Sequence, residues 1–134
     1  MYVVYILQSG NLSYVGMTND FIHRWRQHNG FIKGGARYTK KANKWEPVCI
    51  IDGFINKQQA MQCEWKLKSR KNKISRSFKG TIGRIKYLDH LINNEDKWTS
   101  NSPLIKEQNL KIYINKEYKH FLNYLTEELY MKIL

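Results

Sequence analysis

Negative charge, cysteine and long apolar runs are all scarce in this chain, and each shortage narrows what it can be. Asp and Glu number 11 against 23 Lys and Arg, for a formal net charge of +12 at pH 7. That imbalance favours a polyanionic partner, although ribosomal, cationic secreted and membrane-surface proteins share it. Cysteine occurs only as Cys49 and Cys63. Two thiols cannot complete a zinc site alone, and in an intracellular chain they read as buried thiols rather than a disulfide. No apolar run approaches the roughly 20 residues that a membrane-spanning helix needs. The segment from Tyr2 to Leu7 is too short for the apolar part of a signal peptide, so an intracellular location, cytoplasmic or nuclear, is expected. No repeat or low-complexity tract is present. What remains is a 134-residue chain that is 42% hydrophobic, enough for the packed core of one domain.

The informative stretch is at the start. Residues 2–8 and 12–17 read as two strands of a hairpin. Val3, Tyr5 and Leu7 alternate onto one face of the first, and Gly10 and Asn11 tolerate the backbone of the reversal. Residues 20–29 read as a helix with Asn19 or Asp20 as its N-cap, Phe21, Ile22 and Trp25 towards the core, and Gly30 just past its end. Arg24 and His28, four apart, project from one face of that helix. A long connection, 31–46, carries Lys33, Arg37, Tyr38, Lys40, Lys41, Lys44 and Trp45 around Gly34-Gly35; connections of this length are usually functional. Residues 47–55 make a third strand, and Asn56 caps a second helix over 57–69.

Val3-Val4-Tyr5, then Tyr14-Val15-Gly16, Thr18, Arg24 and His28 resemble the signature of GIY-YIG nucleases, with Val-Val-Tyr for Gly-Ile-Tyr and Tyr-Val-Gly for Tyr-Ile-Gly. Gln27-His28-Asn29-Gly30, Lys33-Gly34-Gly35-Ala36-Arg37, Trp45-Glu46 and Gly53-Phe54 through Glu64-Trp65 extend the likeness to the Slx1/YhbQ-type branch over residues 2 to 68. That branch consists of structure-selective endonucleases. The resemblance implies an α+β fold, a small, mostly antiparallel three-stranded sheet flanked by helices; a helical C-terminal extension is expected from the spacing of the residues beyond it. It departs from eukaryotic Slx1 proteins, whose nuclease part is followed by a zinc-binding RING-type domain for which this sequence has no cysteines. A scaffold partner is therefore not indicated.

Phosphodiester hydrolysis needs an activated in-line water, screening of the phosphate, stabilisation of the transition state and neutralisation of the leaving oxygen. A metal supplies most of this and an arginine the rest. Glu64, at the edge of the apolar face of the second helix, matches the family's metal-binding glutamate. It reads otherwise as a surface partner of Lys68. One carboxylate suits a single Mg²⁺ or Mn²⁺ that keeps most of its waters. Arg24 matches the family's essential arginine, and its alternative is a solvated basic face shared with Arg26. His28 would orient the phosphate or the arginine. Tyr5 is assigned to activating the water, on the expectation that a nearby cation and metal lower the pKa of its phenol; Tyr14 would orient that water or a phosphate oxygen. The alternative for both is a pair of core tyrosines. Gly16 would let the strand approach the helix closely.

DNA contacts are expected from Lys33, Arg37, Lys40, Lys41 and Lys44 in the long connection, and from Lys66, Lys68, Arg70, Lys71 and Lys73 in a run free of acidic groups. Both stretches would neutralise phosphates without reading bases. Tyr38, Trp45 and Trp65 are candidates to stack on unpaired bases or to pack internally. Residues 1–76 would form the nuclease core and 77–134 an extension packed on it. A helix is expected within 77–93, a loop over 94–109, a short strand over 110–114 and an amphipathic helix from Glu117 to Ile133. The leading expectation is a divalent-metal-dependent, structure-selective DNA endonuclease acting as monomer or homodimer on flaps, forks or junctions. A homing or mobile-element nuclease and a non-catalytic basic DNA-binding protein are the alternatives.

Overall fold

The computed structural model describes residues 1–42, 44–69 and 78–129. Five strands form one sheet in the order β2-β1-β3-β4-β5. β1 (Val3–Ser9) and β2 (Leu12–Thr18) make the expected hairpin around Gly10 and Asn11. β3 (Glu46–Asp52) adds antiparallel to the other side of β1, with a bulge at Ile6/Leu7. β4 (Lys111–Ile114) pairs antiparallel with β3, and β5 (Thr126–Glu128) pairs parallel with β4. The fold class is α+β, but the sheet has five strands rather than three. The expected strand at 110–114 joins the same sheet, and β5 covers what would otherwise be the bare edge of β4.

Three α-helices pack on this sheet among the described residues. α1 (Phe21–His28) starts at Asp20, whose carboxylate accepts from the His23 amide at 3.2 Å. It is followed by Gly30 at φ +78°, the left-handed position reserved for glycine. α2 (Lys57–Lys68) is capped by Asn56, which accepts from the Gln59 amide at 3.0 Å. α3 (Gly80–Asn94) fills the helix expected within 77–93. Ile22 does not face the core as expected but is 40% exposed; Trp25 carries the burial on α1.

Side-chain alternation along the hairpin divides the interior in two. Val4, Ile6 and Val15 face a large cluster with Ala60, Cys63 and Leu67 of α2 and Ile85, Leu88 and Leu91 of α3. Trp98, Ile112 and Ile114 from the C-terminal half belong to that same cluster. Tyr5 and Leu7 face the other way and pack with Trp25, Trp45, Tyr14 and Tyr38. Cys49 and Cys63 are buried free thiols, as expected, and burial pushes the Cys49 thiol up to about 12.

The amphipathic helix expected from Glu117 to Ile133 is not formed over the described part of that span. Lys119–Phe121 is a single 3₁₀ turn and Thr126–Glu128 is β5. Tyr118, Phe121 and Tyr124 pack on the large cluster and Leu122 is buried, whereas Leu125 is 91% exposed. The apolar spacing is satisfied by a folded-back segment. Its backbone completes the β4 edge, where the Leu129 amide donates to the Ile114 carbonyl at 3.0 Å.

Candidate active site

The two tyrosines of the hairpin share the face that looks onto α1. Tyr5 is paired across the sheet with Gly16, and Leu7 with Tyr14. A Cβ at position 16 would lie 2.3 Å from the Tyr5 hydroxyl oxygen. The glycine is needed because the phenol lies flat across it, not because the strand approaches the helix. The Tyr5 hydroxyl is 2.7 Å from His28 Nε2, and the Tyr14 and His28 rings are 4.9 Å apart at their centroids. His28 thus holds a tyrosine rather than the arginine. Its pKa is lowered to about 4, chiefly by burial and then by the Arg24 and Lys68 cations. The expected lowering at Tyr5 is reversed: burial dominates and raises its pKa, against a smaller opposing pull from Arg24.

Arg24 is held by a clamp from the long connection. Its Nη1 donates to the Gln27 side-chain oxygen at 2.9 Å and to the Gly34 carbonyl at 2.7 Å. Gln27 Nε2 in turn donates to the Lys33 carbonyl at 3.1 Å. Gly34 sits at φ +108° and leaves no room for a Cβ against Gln27 Nε2. Farther along, Asn29 binds both backbone groups of Trp45: its Oδ1 accepts at 2.5 Å and its Nδ2 donates at 3.2 Å. Trp25 Nε1 donates to the same Trp45 carbonyl at 2.6 Å. The connection is therefore fastened to α1 at both ends. Between the fastenings is a cleft of about 530 Å³ lined by His28, Lys33, Gly34, Gly35, Thr39 and Lys40, among others.

Glu64 and Lys68 approach the two tyrosines and His28 from α2, which packs beside β2, the edge strand of the hairpin. Lys68 Nζ lies 3.6 Å from Glu64 Oε2 and 5.3 Å from the centre of the Tyr14 ring. The Glu64 charge acts on Tyr5 and the Lys68 charge on His28. The Glu64–Lys68 pair of the surface reading exists, and it stands at the mouth of the tyrosine pocket. No group of three or more His, Cys, Asp or Glu side chains able to hold a metal occurs among the described residues. The Glu64 side chain is 24% exposed, with Lys68 its ion-pair partner. A single carboxylate with open oxygen positions fits a mostly hydrated divalent ion better than a protein cage.

Tyr5, Tyr14, Arg24 and His28 thus meet in one pocket, with Glu64 beside them. Lys33, Arg37, Lys40, Lys41, Lys44 and Lys68 are exposed and Lys66 is half-buried; Arg70, Lys71 and Lys73 lie outside the described residues. Trp45 is fully buried and donates to the Thr39 carbonyl at 2.8 Å, so it is not a platform for a base. Tyr38 stacks on Tyr14, with Lys41 4.7 Å from its own ring centre. Trp65 is 53% exposed. The site residues that sequence reasoning missed are Gln27 and Thr39. Gln27 had a local signal, three positions after Arg24; Thr39 had none.

Residues 1–79 match the family model described as the GIY-YIG catalytic domain. The chain belongs to the GIY-YIG family, in its Slx1-type branch. It is 46% identical over 68 residues to "Structure-specific endonuclease subunit SLX1" of Malassezia globosa, covering 48% of this chain and 15% of that one. To the slx1 protein of the same description in Schizosaccharomyces pombe it is 32% identical over 133 residues, covering 90% of this chain and 49% of that one. The chain therefore spans no more than about half the length of these relatives. The GIY-YIG match contains the hairpin, α1, the clamped connection and α2, that is, every element that lines the pocket.

Proposed function

We propose that this chain is a divalent-metal-dependent DNA endonuclease selective for branched DNA, with flaps, forks and Holliday-like junctions as its substrates. The observation that carries the reading is the convergence of two phenols, a clamped guanidinium and an imidazole in one pocket, with a carboxylate at its mouth. Its relatives' description as structure-specific endonuclease subunits supports the substrate class. In this reading Arg24 binds the scissile phosphate. A guanidinium has five N–H donors. The bonds to Gln27 and Gly34 fix its plane and leave donors for the phosphate oxygens, where charge builds up in the transition state.

Glu64 would hold one Mg²⁺ or Mn²⁺, which when bound screens the phosphate and neutralises the leaving 3′-oxygen. Tyr5 takes a proton from the attacking water as its own proton passes to His28, because a buried neutral phenol is no base by itself. Tyr14, half-buried beside both, orients the water or a phosphate oxygen. Lys33, Lys40, Lys41 and Lys44 would track the backbone of one arm, and Trp65 on α2 would stack an unpaired base.

The test is incubation of the protein with labelled linear duplex, flap and four-way-junction DNA, in Mg²⁺ and in EDTA. Cleavage of the branched substrates in Mg²⁺ only is the expected result. Sequence-dependent cutting of linear duplex points instead to the homing class. Binding without cleavage in any metal leaves only a basic DNA-binding protein.

A further inference from the structure

Thr39 comes from the long connection and is 1% exposed. Its backbone is pinned by the Trp45 indole, which donates to the Thr39 carbonyl at 2.8 Å. Its hydroxyl touches two groups, the Ala36 carbonyl oxygen at 2.9 Å and His28 Nδ1 at 2.9 Å. A hydroxyl has one proton to give, and a carbonyl can only accept. The Thr39 proton therefore goes to Ala36, and the hydrogen between Thr39 and His28 belongs to Nδ1. With its pKa lowered to about 4, His28 carries one ring proton at neutral pH. Once that proton is on Nδ1, Nε2 is bare. The group facing Nε2 is the Tyr5 hydroxyl, 2.7 Å away and 1% exposed, which must then be the donor.

We propose that Thr39 is a positioning residue that locks His28 in the Nδ1–H tautomer and so makes Nε2 the acceptor of the Tyr5 proton. The consequence for chemistry rests on the reading that Tyr5 faces the attacking water. In the locked tautomer the Tyr5 oxygen has a lone pair free for that water. One water O–H bond breaks as a new O–H bond forms on Tyr5; the original Tyr5 O–H bond breaks as Nε2–H forms. The water becomes hydroxide and His28 an imidazolium, with no other species involved. In the opposite tautomer Nε2–H would donate to Tyr5, and no acceptor would exist for the phenol proton.

The direct measurement is the ¹⁵N–¹H correlation spectrum of the histidine rings at neutral pH, without DNA, for wild type, Thr39→Val and Thr39→Ser. Wild type and Thr39→Ser should show a pyrrole-type Nδ1 and a pyridine-type Nε2 for His28. Thr39→Val removes the hydroxyl at nearly constant shape, and its spectrum should show the Nε2–H form. In the cleavage assay Thr39→Val should lose roughly 10- to 100-fold in kcat, within the range carried by positioned acid–base groups, with KM for DNA unchanged, and Thr39→Ser should restore it. A wild-type His28 protonated on Nε2, or a Thr39→Val protein that keeps Nδ1–H, overturns the proposal. Should Thr39→Val fail to fold, the wild-type spectrum with Thr39→Ser decides alone. A tautomer that shifts as stated in proteins that cleave no DNA upholds the lock and refutes the nuclease reading instead.

Discussion

At the scale of single residues, the pocket works by setting charged and neutral groups against one another. His28 is 3% exposed, and burial, with the Arg24 and Lys68 cations nearby, lowers its pKa from 6.5 to about 4. Between those values the unfolded chain binds a proton that the folded chain refuses, so stability rises with pH there and is lost as pH falls. The contribution is complete above pH 6.5 and lost as pH drops through 4. At about 1.4 kcal/mol per pKa unit it amounts to about 3 kcal/mol. Urea unfolding at pH 7 and pH 4 should show wild type losing about that much more than His28→Asn. Lys68 is the second residue whose charge matters. Its ammonium stands 3.6 Å from the Glu64 carboxylate, the acidic candidate for a metal beside the tyrosines. Lys68→Gln should tighten Mn²⁺ binding about tenfold, by loss of one repulsive charge at short range, as read by electron paramagnetic resonance of free Mn²⁺. Unchanged affinity would place the ion elsewhere.

At the scale of elements, legibility followed the range of the signal. The hairpin, α1 and α2 were readable because alternation, caps and the Gly30 stop are local patterns, and Asp20 and Asn56 accept the amide bonds those patterns demand. Tyr5, Tyr14, Arg24, His28 and Glu64 were readable as an ordered set. Two features depended on distant partners and were not. The 117–133 spacing is helical on paper, but the β4 edge claimed residues 126–128. The hold of the 31–46 connection on α1 runs through Asn29–Trp45 and His28–Thr39 bonds that no periodicity announces. The direction of the Tyr5 shift was misread for the same reason: its burial is a property of the assembled pocket. On α2, Met61 and Trp65 lie one turn apart on the outer face, 49% and 53% exposed, next to Glu64. Trp25, Trp45 and Trp98 are at most 4% exposed, so acrylamide quenching reports mainly on Trp65. Binding of a flap should protect Trp65 from the quencher. Trp65→Ala should weaken flap binding by about 1–3 kcal/mol, the worth of one stacked base, and leave blunt duplex binding nearly unchanged. Equal losses on both DNAs would assign Trp65 to the backbone track.

At the scale of the whole molecule, the residues beyond the GIY-YIG match are part of the same interior. Trp98 is 1% exposed and shares its cluster with Val4, Ile6 and Val15 under the hairpin. Trp98→Ala should cost about 3–5 kcal/mol, in a single urea transition monitored by both tyrosine and far-ultraviolet signals. Two separated transitions would mean that the C-terminal half folds apart from the nuclease core. If DNA is the partner proposed above, the net charge of +12 would supply attraction without selectivity, so affinity should fall steeply with salt on every substrate while the cleavage pattern stays the same. Chemistry and attraction are thereby separable. The most direct test is single-turnover cleavage of a flap by wild type and Glu64→Gln in Mg²⁺, with binding measured in parallel in EDTA. The account predicts equal binding and a cleavage rate lowered at least about 100-fold in the variant, the scale of one lost electrostatic stabiliser. Glu64→Gln cutting at the wild-type rate would contradict it.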